Sequence, residues 1–445
     1  MNNLIKHICR QSTRLRALAA DRSGGAAVML ALGLSSVLGL AGLGTEVAAW
    51  YTTKQTMQSA ADAAAYTAIT ALGKGASVAQ LTTEAKSVAG NYSFVDGTAS
   101  VTVTVNSPPV SGSYAGKSTA VEVIVSQPQA PMVSGLFMSS GPTIQARSVA
   151  AAVTTGSGCV VALDKGDVVD VTDSGNTILN LNSCSLYINS NDAAALTMTG
   201  GAVIDAGAAY ITGGVSTSGG AALDTTKGTY TGTPPISDPY SYANVPTFNA
   251  CAASSATCKN NYSLGNHDTD TINATGTTPY VFSNGLSLGS QASLTLGPGT
   301  YIIDRGSLSI GAQTTLTATS GTTIILTSST GSNYATVTVN GGASVSVTAP
   351  ATGATAGLAF FQDRNAPTAG TSANSFTGGG TQNIVGALYF PNEGVTYAGG
   401  ASVGGATCTQ LLAYTLKFSG NSNFNSNCGS AGTSTIGTTS NQLVE

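Results

Sequence analysis

Twenty-three consecutive residues, SGGAAVMLALGLSSVLGLAGLGT from Ser23 to Thr45, carry no charge. As a helix this run is roughly 34 Å long at ~1.5 Å per residue, enough to cross a hydrocarbon core of ~30 Å. Lipid offers the backbone no hydrogen-bond partners, so a single span of this kind must be helical. Lys6, Arg10, Arg14, Arg16 and Arg22 precede it against Asp21 alone. The positive-inside rule then keeps segment 1–22 in the cytoplasm and sends residues 46–445 across. A cleaved signal peptide is the rival reading, but the run exceeds an h-region of ~7 to 15 residues and no A-x-A site follows it. Prepilin-type cleavage after Gly25 would require a carboxylate five residues on, where Leu30 stands; the first carboxylate is Glu46.

Beyond Glu46 the pattern stays helical. EVAAWYTTKQTMQSAADAAAYTAITAL, Glu46 to Leu72, is rich in alanine and free of proline and glycine, so one helix is expected over 23–72, leaving the bilayer at its outer end. Trp50 and Tyr51 fall where amphipathic rings favour the membrane-water boundary; Trp50 suits a core position in the next domain equally well.

The basic lead, the RSGGAAVMLALGLSSVLGLAGLG anchor, the single carboxylate Glu46, the pair Trp50 and Tyr51, and QTMQSAADAAAYTA from Gln55 to Ala68 together resemble the TadE/TadG-like family of Flp (tight adherence) pilus-assembly proteins, nearer the TadG branch. The resemblance covers roughly an eighth of the chain. It implies a single-pass bacterial inner-membrane protein with its N-terminus cytoplasmic and its bulk periplasmic, working with other Tad/Flp pilus-assembly proteins and carrying no enzymatic activity. It marks Glu46, Trp50, Tyr51, Gln58 and Asp62 as membrane-interface and family-motif residues; Glu46 stands where the family suggests an aspartate.

Residues 73–155 read as a small α+β stalk module. SVAQLTTEAKSVAGNYS from Ser77 is helical in pattern, while TASVTVTV and STAVEVIV alternate, with Val101, Val103, Val105 and Val121, Val123, Val125 on one face. PMVSGLFMS from Pro131 reads as a short helix and TIQARSVAAAV from Thr143 as a third strand.

From Gly156 the chain becomes a series of short β-branched runs separated by Gly, Ser, Asn and Thr corners, such as GLSLGSQASLTLGPGTYIID and SLSIGAQTTLTATSGTTIILTS. A chain with 55 glycines in 445 residues and only 8% charged residues suits this repetition. The expected fold of 156–430 is a right-handed parallel β-helix with rungs of about 20 residues, followed by a loose tail over 431–445. The protein is therefore mainly β. A β-sandwich is the alternative, because alternation by itself does not fix parallel pairing.

Seven cysteines divide into Cys9, before the anchor, and six beyond it: Cys159, Cys184, Cys251, Cys258, Cys408 and Cys428. An even number in an oxidising compartment favours disulfides, with local pairing Cys159–Cys184, Cys251–Cys258 and Cys408–Cys428. The first and last would pin the two ends of the coil. Their spacings form no CxxC, and the histidines are only His7 and His267, so neither a zinc site nor another metal or cofactor is expected.

Net charge is −4 and no basic stripe follows the anchor, which argues against nucleic-acid binding. A β-helix does invite comparison with carbohydrate-active enzymes, which need two carboxylates about 5 to 9.5 Å apart. The best candidate pair is Asp268 and Asp270 beside His267, and it reads more simply as a corner turn. Asp304 with Arg305 and Asp363 with Arg364 read as solvated corner charges. No catalytic residue is assigned. The expectation is a scaffold for pilus assembly, anchoring or surface adherence; the alternative is a membrane-tethered protein that binds or cleaves surface glycans.

Overall fold

The computed structural model describes residues 24–276, 278–377, 379–398, 402–403, 408–419, 422–423 and 431–445. Segment 1–22, Cys9 and Cys428 lie outside them. The chain divides into two compact units, one of residues 1–153 with 440–445 and the other of 154–439.

The first unit is built on one long helix, α1 (Gly24–Gly73), and a shorter one, α2 (Val78–Asn91). Ser77 starts α2 through a capping box with Gln80, each side chain reaching the other's backbone N–H. The sheet comprises β1 (Thr102–Asn106), β2 (Ala120–Pro128), β3 (Thr143–Thr155) and the strand Thr438–Leu443, in that order, with β1–β2 and β2–β3 antiparallel.

The α1 stripe Met57, Ala60, Ala61, Ala64, Ala65, Ala68 and Ile69 packs on Val121, Val123, Val125, Ala146 and Ala150. Its 3–4 spacing puts these residues on one helix face, and alanine's small side chain lets helix and sheet approach closely. The period-2 alternation of β2 sends Val121, Val123 and Val125 to the helices and Ala120 and Glu122 to the other face.

Two expectations are corrected here. Residues 438–443 form a sheet strand, so 431–445 is not a loose tail: Val149 N–H donates to the Glu445 carbonyl at 2.8 Å and Val444 N–H to the Val149 carbonyl at 2.8 Å. The free edge of β3 supplies the partners that a polar sequence such as TTSNQL does not advertise. The short helix expected from Pro131 is a single 3₁₀ turn, Ser134–Leu136.

The second unit is a parallel solenoid in which strands repeat on three faces. Among the described residues every strand pairing in its 26-stranded sheet is parallel, which excludes the sandwich. One interior column runs Leu294, Leu316, Val345, with partners 22 and then 29 residues apart. Longer rungs reach 37 residues, as between Thr338 and Ser375.

The rungs are not stacked in chain order. Strand Gly158–Ala162 lies on Thr409–Ala413, through Leu411↔Val160 and Leu412↔Val161, and Val171–Gly175 lies on Leu416–Ser419. The chain thus enters mid-stack and coils outward through 158–231. It then returns along the outside as a strap, 232–257, and coils again from Cys258 until the last rung meets the first. The terminal rungs are consequently 215–231 and 258–272. The expectation that Cys159 and Cys184 pin an end of the coil is overturned, because both lie at the internal seam. A rung's edge hydrogen bonds satisfy any parallel neighbour, whatever its place in the chain.

Candidate functional site

The N-terminal half of α1 is bare. Met29, Leu30, Leu32, Leu34, Val37, Leu38 and Leu40 are all more than half exposed, whereas from Met57 onward the helix is built into the module. The helix Met29–Gly73 has the length and apolarity to cross a membrane.

Where the apolar run ends, Glu46 turns back into the protein. It is 3% exposed and accepts the Met132 N–H at 2.8 Å, the Ser134 N–H at 2.8 Å and the Ser134 hydroxyl at 2.7 Å. Four residues earlier, a Cβ on Gly42 would come within 2.9 Å of a Val133 methyl. Glycine there lets the 131–138 loop seat directly on the helix. Glu46 is thus a clasp between helix and loop rather than a free interfacial charge.

The other motif residues separate by role. Trp50 packs against the module's alanine–valine core, and Tyr51 is 63% exposed. Gln58 donates to Asp62 at 2.8 Å and to the Arg147 carbonyl at 3.0 Å, joining α1 to β3. Lys54 also donates to a β3 carbonyl, that of Gln145.

These contacts gather on 24–78, the stretch where a comparison with known families finds its counterpart. Residues 24–78 match the family model described as "Putative Flp pilus-assembly TadE/G-like". The chain carries a TadE/G-like domain. The match is to the joint family, so the nearer kinship to TadG read from the sequence goes no further than that. No curated protein and no solved structure matches the chain.

Downstream of the TadE/G-like domain, β2 and β3 hold a charge network that sequence reading missed. Glu122, fully buried, accepts from Arg147 Nε at 2.6 Å, Asn106 at 2.7 Å, the Ser111 hydroxyl at 2.9 Å and the Val110 N–H at 3.3 Å. Burial pushes its carboxyl up, but the hydrogen bonds from Asn106, Arg147 and Ser111 outweigh that and hold it below the usual range. A glutamate inside the valine alternation of AVEVIV was the available signal.

In the β unit, Cys159–Cys184 and Cys251–Cys258 are disulfides with Cα–Cα distances of 5.7 and 5.9 Å, ordinary for a bridge. Cys408 is disulfide-bonded as well; the expected pairing with Cys428 lies outside the described residues. Cys251–Cys258 sits at a true terminus, where the strap becomes the first strand of the 258–272 rung.

Of the carboxylates considered for catalysis, Asp268 is exposed on a turn closed by its own N–H to the Gly265 carbonyl at 3.2 Å, and Asp270, Asp304 and Asp363 are engaged in the fold. Asp270 accepts from the Tyr262 hydroxyl and the Thr271 N–H, and His267 occupies a left-handed turn at φ 63°. Asp304 and Asp363 are not solvated corner charges. Asp304 is fully buried and accepts from Ser283, Ser329 and Arg305, while Asp363, 7% exposed, accepts from Thr327 at 2.6 Å. Each links successive rungs, because parallel stacking puts one corner directly above the next. Among the described residues no group of three or more His, Cys, Asp or Glu is placed to hold a metal.

One outward column of the solenoid is apolar throughout: Val281, Ile302, Ile325, Phe361, Tyr389, Leu412, Val161 and Tyr187 align rung by rung. The strap covers it with Ile236, Tyr240 and Ala243. Arg364 fastens the strap, donating to Asp238 at 2.9 Å and to the carbonyls of Tyr240 and Ala243, with its guanidinium 5.2 Å from the centre of the Tyr389 ring. Runs such as TTIILT and LAFFQ, apolar at consecutive rather than alternate positions, were the sequence signal for a second buried face.

Beyond the strap the column ends in stacked rings, Tyr187–Tyr210 at 4.9 Å and Tyr210–Tyr230 at 5.2 Å, beside a cleft of about 390 Å³ that Ser157, Ser185 and Lys227 help to line. The facing sides of the rings cover one another at the rung spacing, Tyr230 at the end of the stack is 45% exposed, and no carboxylate lines that cleft.

Proposed function

We propose that the protein is a membrane-anchored scaffold of Flp pilus assembly, acting by contact and without turnover. The observation that carries this reading is the TadE/G-like match over 24–78, on a helix bare through its apolar half and built into a folded module through the rest. In this reading the N-terminus is cytoplasmic, both folded units are extracytoplasmic in the periplasm, and α1 transmits position from the bilayer to the module. The solenoid, with Asp304 and Asp363 engaged in inter-rung bonds, presents a Ser-, Thr- and Asn-rich surface for other Tad proteins or for adherence. Kinship to the TadG branch belongs to the same proposal. Cleavage of glycans gains no support from the cleft beside the tyrosine stack, which no carboxylate lines.

The test is deletion of the gene in its native host, scored for fimbriae by electron microscopy and for surface attachment, with complementation by the full chain. Lost fimbriae restored by the full chain are expected. Unchanged fimbriae and attachment would remove the pilus reading.

A further inference from the structure

The 131–138 loop carries the largest apolar exposure of the described module outside the bare helix: Met132 is 70%, Leu136 80%, Phe137 78% and Met138 48% exposed. Four such side chains on one short loop are not the scattered surface hydrophobics normal for a soluble face. The surrounding stretch, SQPQAPMVSGLFMSSGPT over 126–143, contains no charge.

The loop's height on the helix is fixed twice. Val133 rests on Gly42, three residues inside the end of the apolar run, and Ser134 and Met132 bind Glu46, one residue beyond it. Gly42 and Glu46 are about 6 Å apart along a helix. Any bilayer that takes up the Ser23–Thr45 run therefore brings its boundary to this loop. We propose that the loop is a second membrane contact, with Leu136, Phe137, Met132 and Met138 inserted at the headgroup–acyl boundary and the Glu46 clasp holding them at that depth. This rests on the reading of α1 as a membrane span. A fixed loop beside a lone span would also limit the helix's tilt and rotation, which are otherwise left to interfacial anchors.

Trp50 is the only tryptophan, so a single reporter can be placed in a Trp50→Phe background. The full chain carrying Phe137→Trp is reconstituted in phosphatidylcholine–phosphatidylglycerol vesicles whose acyl chains are brominated either near the carbonyl or near the methyl end. Leu34→Trp, in the middle of the run, is the control. The expected result is that the loop tryptophan is quenched about twofold by bromine near the carbonyl end and far less by bromine near the methyl end, as for a side chain at the acyl boundary. The Leu34→Trp reporter should be quenched most by the deeper label. A quenched control with an unquenched loop reporter would overturn the loop contact and leave the span standing, as would a loop covered by another protein. Quenching of neither would remove both the span and the proposal.

Discussion

Arg147 and Glu445 meet at 2.6 Å across 298 residues of chain, and the same guanidinium donates to the buried Glu122 at 2.6 Å. The module that begins with α1 is therefore finished only by the last strand, after the whole solenoid has been made. Through its other terminal nitrogen Arg147 also donates to the Ser111 carbonyl at 2.7 Å, which fixes the β1–β2 connection to β3.

Arg147→Ala leaves Glu122 buried without its cation. Losing one partner of a buried pair costs about 3–5 kcal/mol; with Arg147 still 28% exposed, on the order of 2 kcal/mol is expected in urea unfolding followed on the first unit. Glu445→Gln, which removes only the outer partner, should lower the melting temperature by clearly less. Because the Glu122 carboxyl is held low, its contribution is present above the unfolded value of about 4.3 and disappears as pH falls through the range below it. A melting curve for this unit that stays flat down to pH 3 would contradict the network.

Asp170 behaves with the opposite sign. Burial, reinforced by the charges of Asp164 and Asp192, pushes it up to about 8, and one of its oxygens has no partner. The folded state then holds a proton that the unfolded chain has released above about pH 4, so stability falls as pH rises from there through 8. Asp170→Asn should match wild type near pH 4 and melt higher at pH 8, with the Ser190 N–H still satisfied by the amide oxygen. Equal melting temperatures at pH 8 would refute this.

Replacing Cys159 and Cys184 by serine opens a cross-link spanning 25 residues, for which chain entropy predicts a loss of about 3.5 kcal/mol. Since both cysteines lie at the seam, hydrogen exchange should rise first in Gly158–Ala162 and in the facing strand Thr409–Ala413. Exchange rising first at 258–272 instead would place the weak point at the terminus.

Arg364→Ala removes the ties to Asp238, Tyr240 and Ala243 together. Limited proteolysis of the variant should cut within 232–250 several times faster than wild type while the rungs stay intact. An unchanged cleavage pattern would mean that the apolar column under Ile236 and Tyr240 holds the strap without help.

Aligning two overexposed segments in unrelated roles would be a coincidence, yet Met29–Leu40 and Met132–Met138 converge on Gly42 and Glu46. Overpacking the opposite end of α1 separates anchoring from folding: Ala64→Leu in the alanine stripe should cost about 1–3 kcal/mol of module stability and leave membrane association intact.

Much of this was legible in one dimension. The charge-free run from Ser23 to Thr45, the alanine stripe after Met57, the valine alternation in β1 and β2 and the Gly-punctuated runs after Gly156 are periodicities of 3.6 or 2 and stretches of set length, each determined by neighbours in sequence. Two cysteine pairs were legible as well, because close spacing makes their encounter cheap. Glu46 and Gln58 could be singled out as motif residues, but their partners Ser134 and Arg147 could not, because no local pattern names a contact 88 or 89 residues away. The order of the rungs, the strap over the apolar column and the return of Thr438–Leu443 to β3 were decided by tertiary structure alone. Backbone N–H and C=O groups at a strand edge are the same for every residue, so the alternation specifies that a strand will pair but leaves the choice of partner to the packing of the whole.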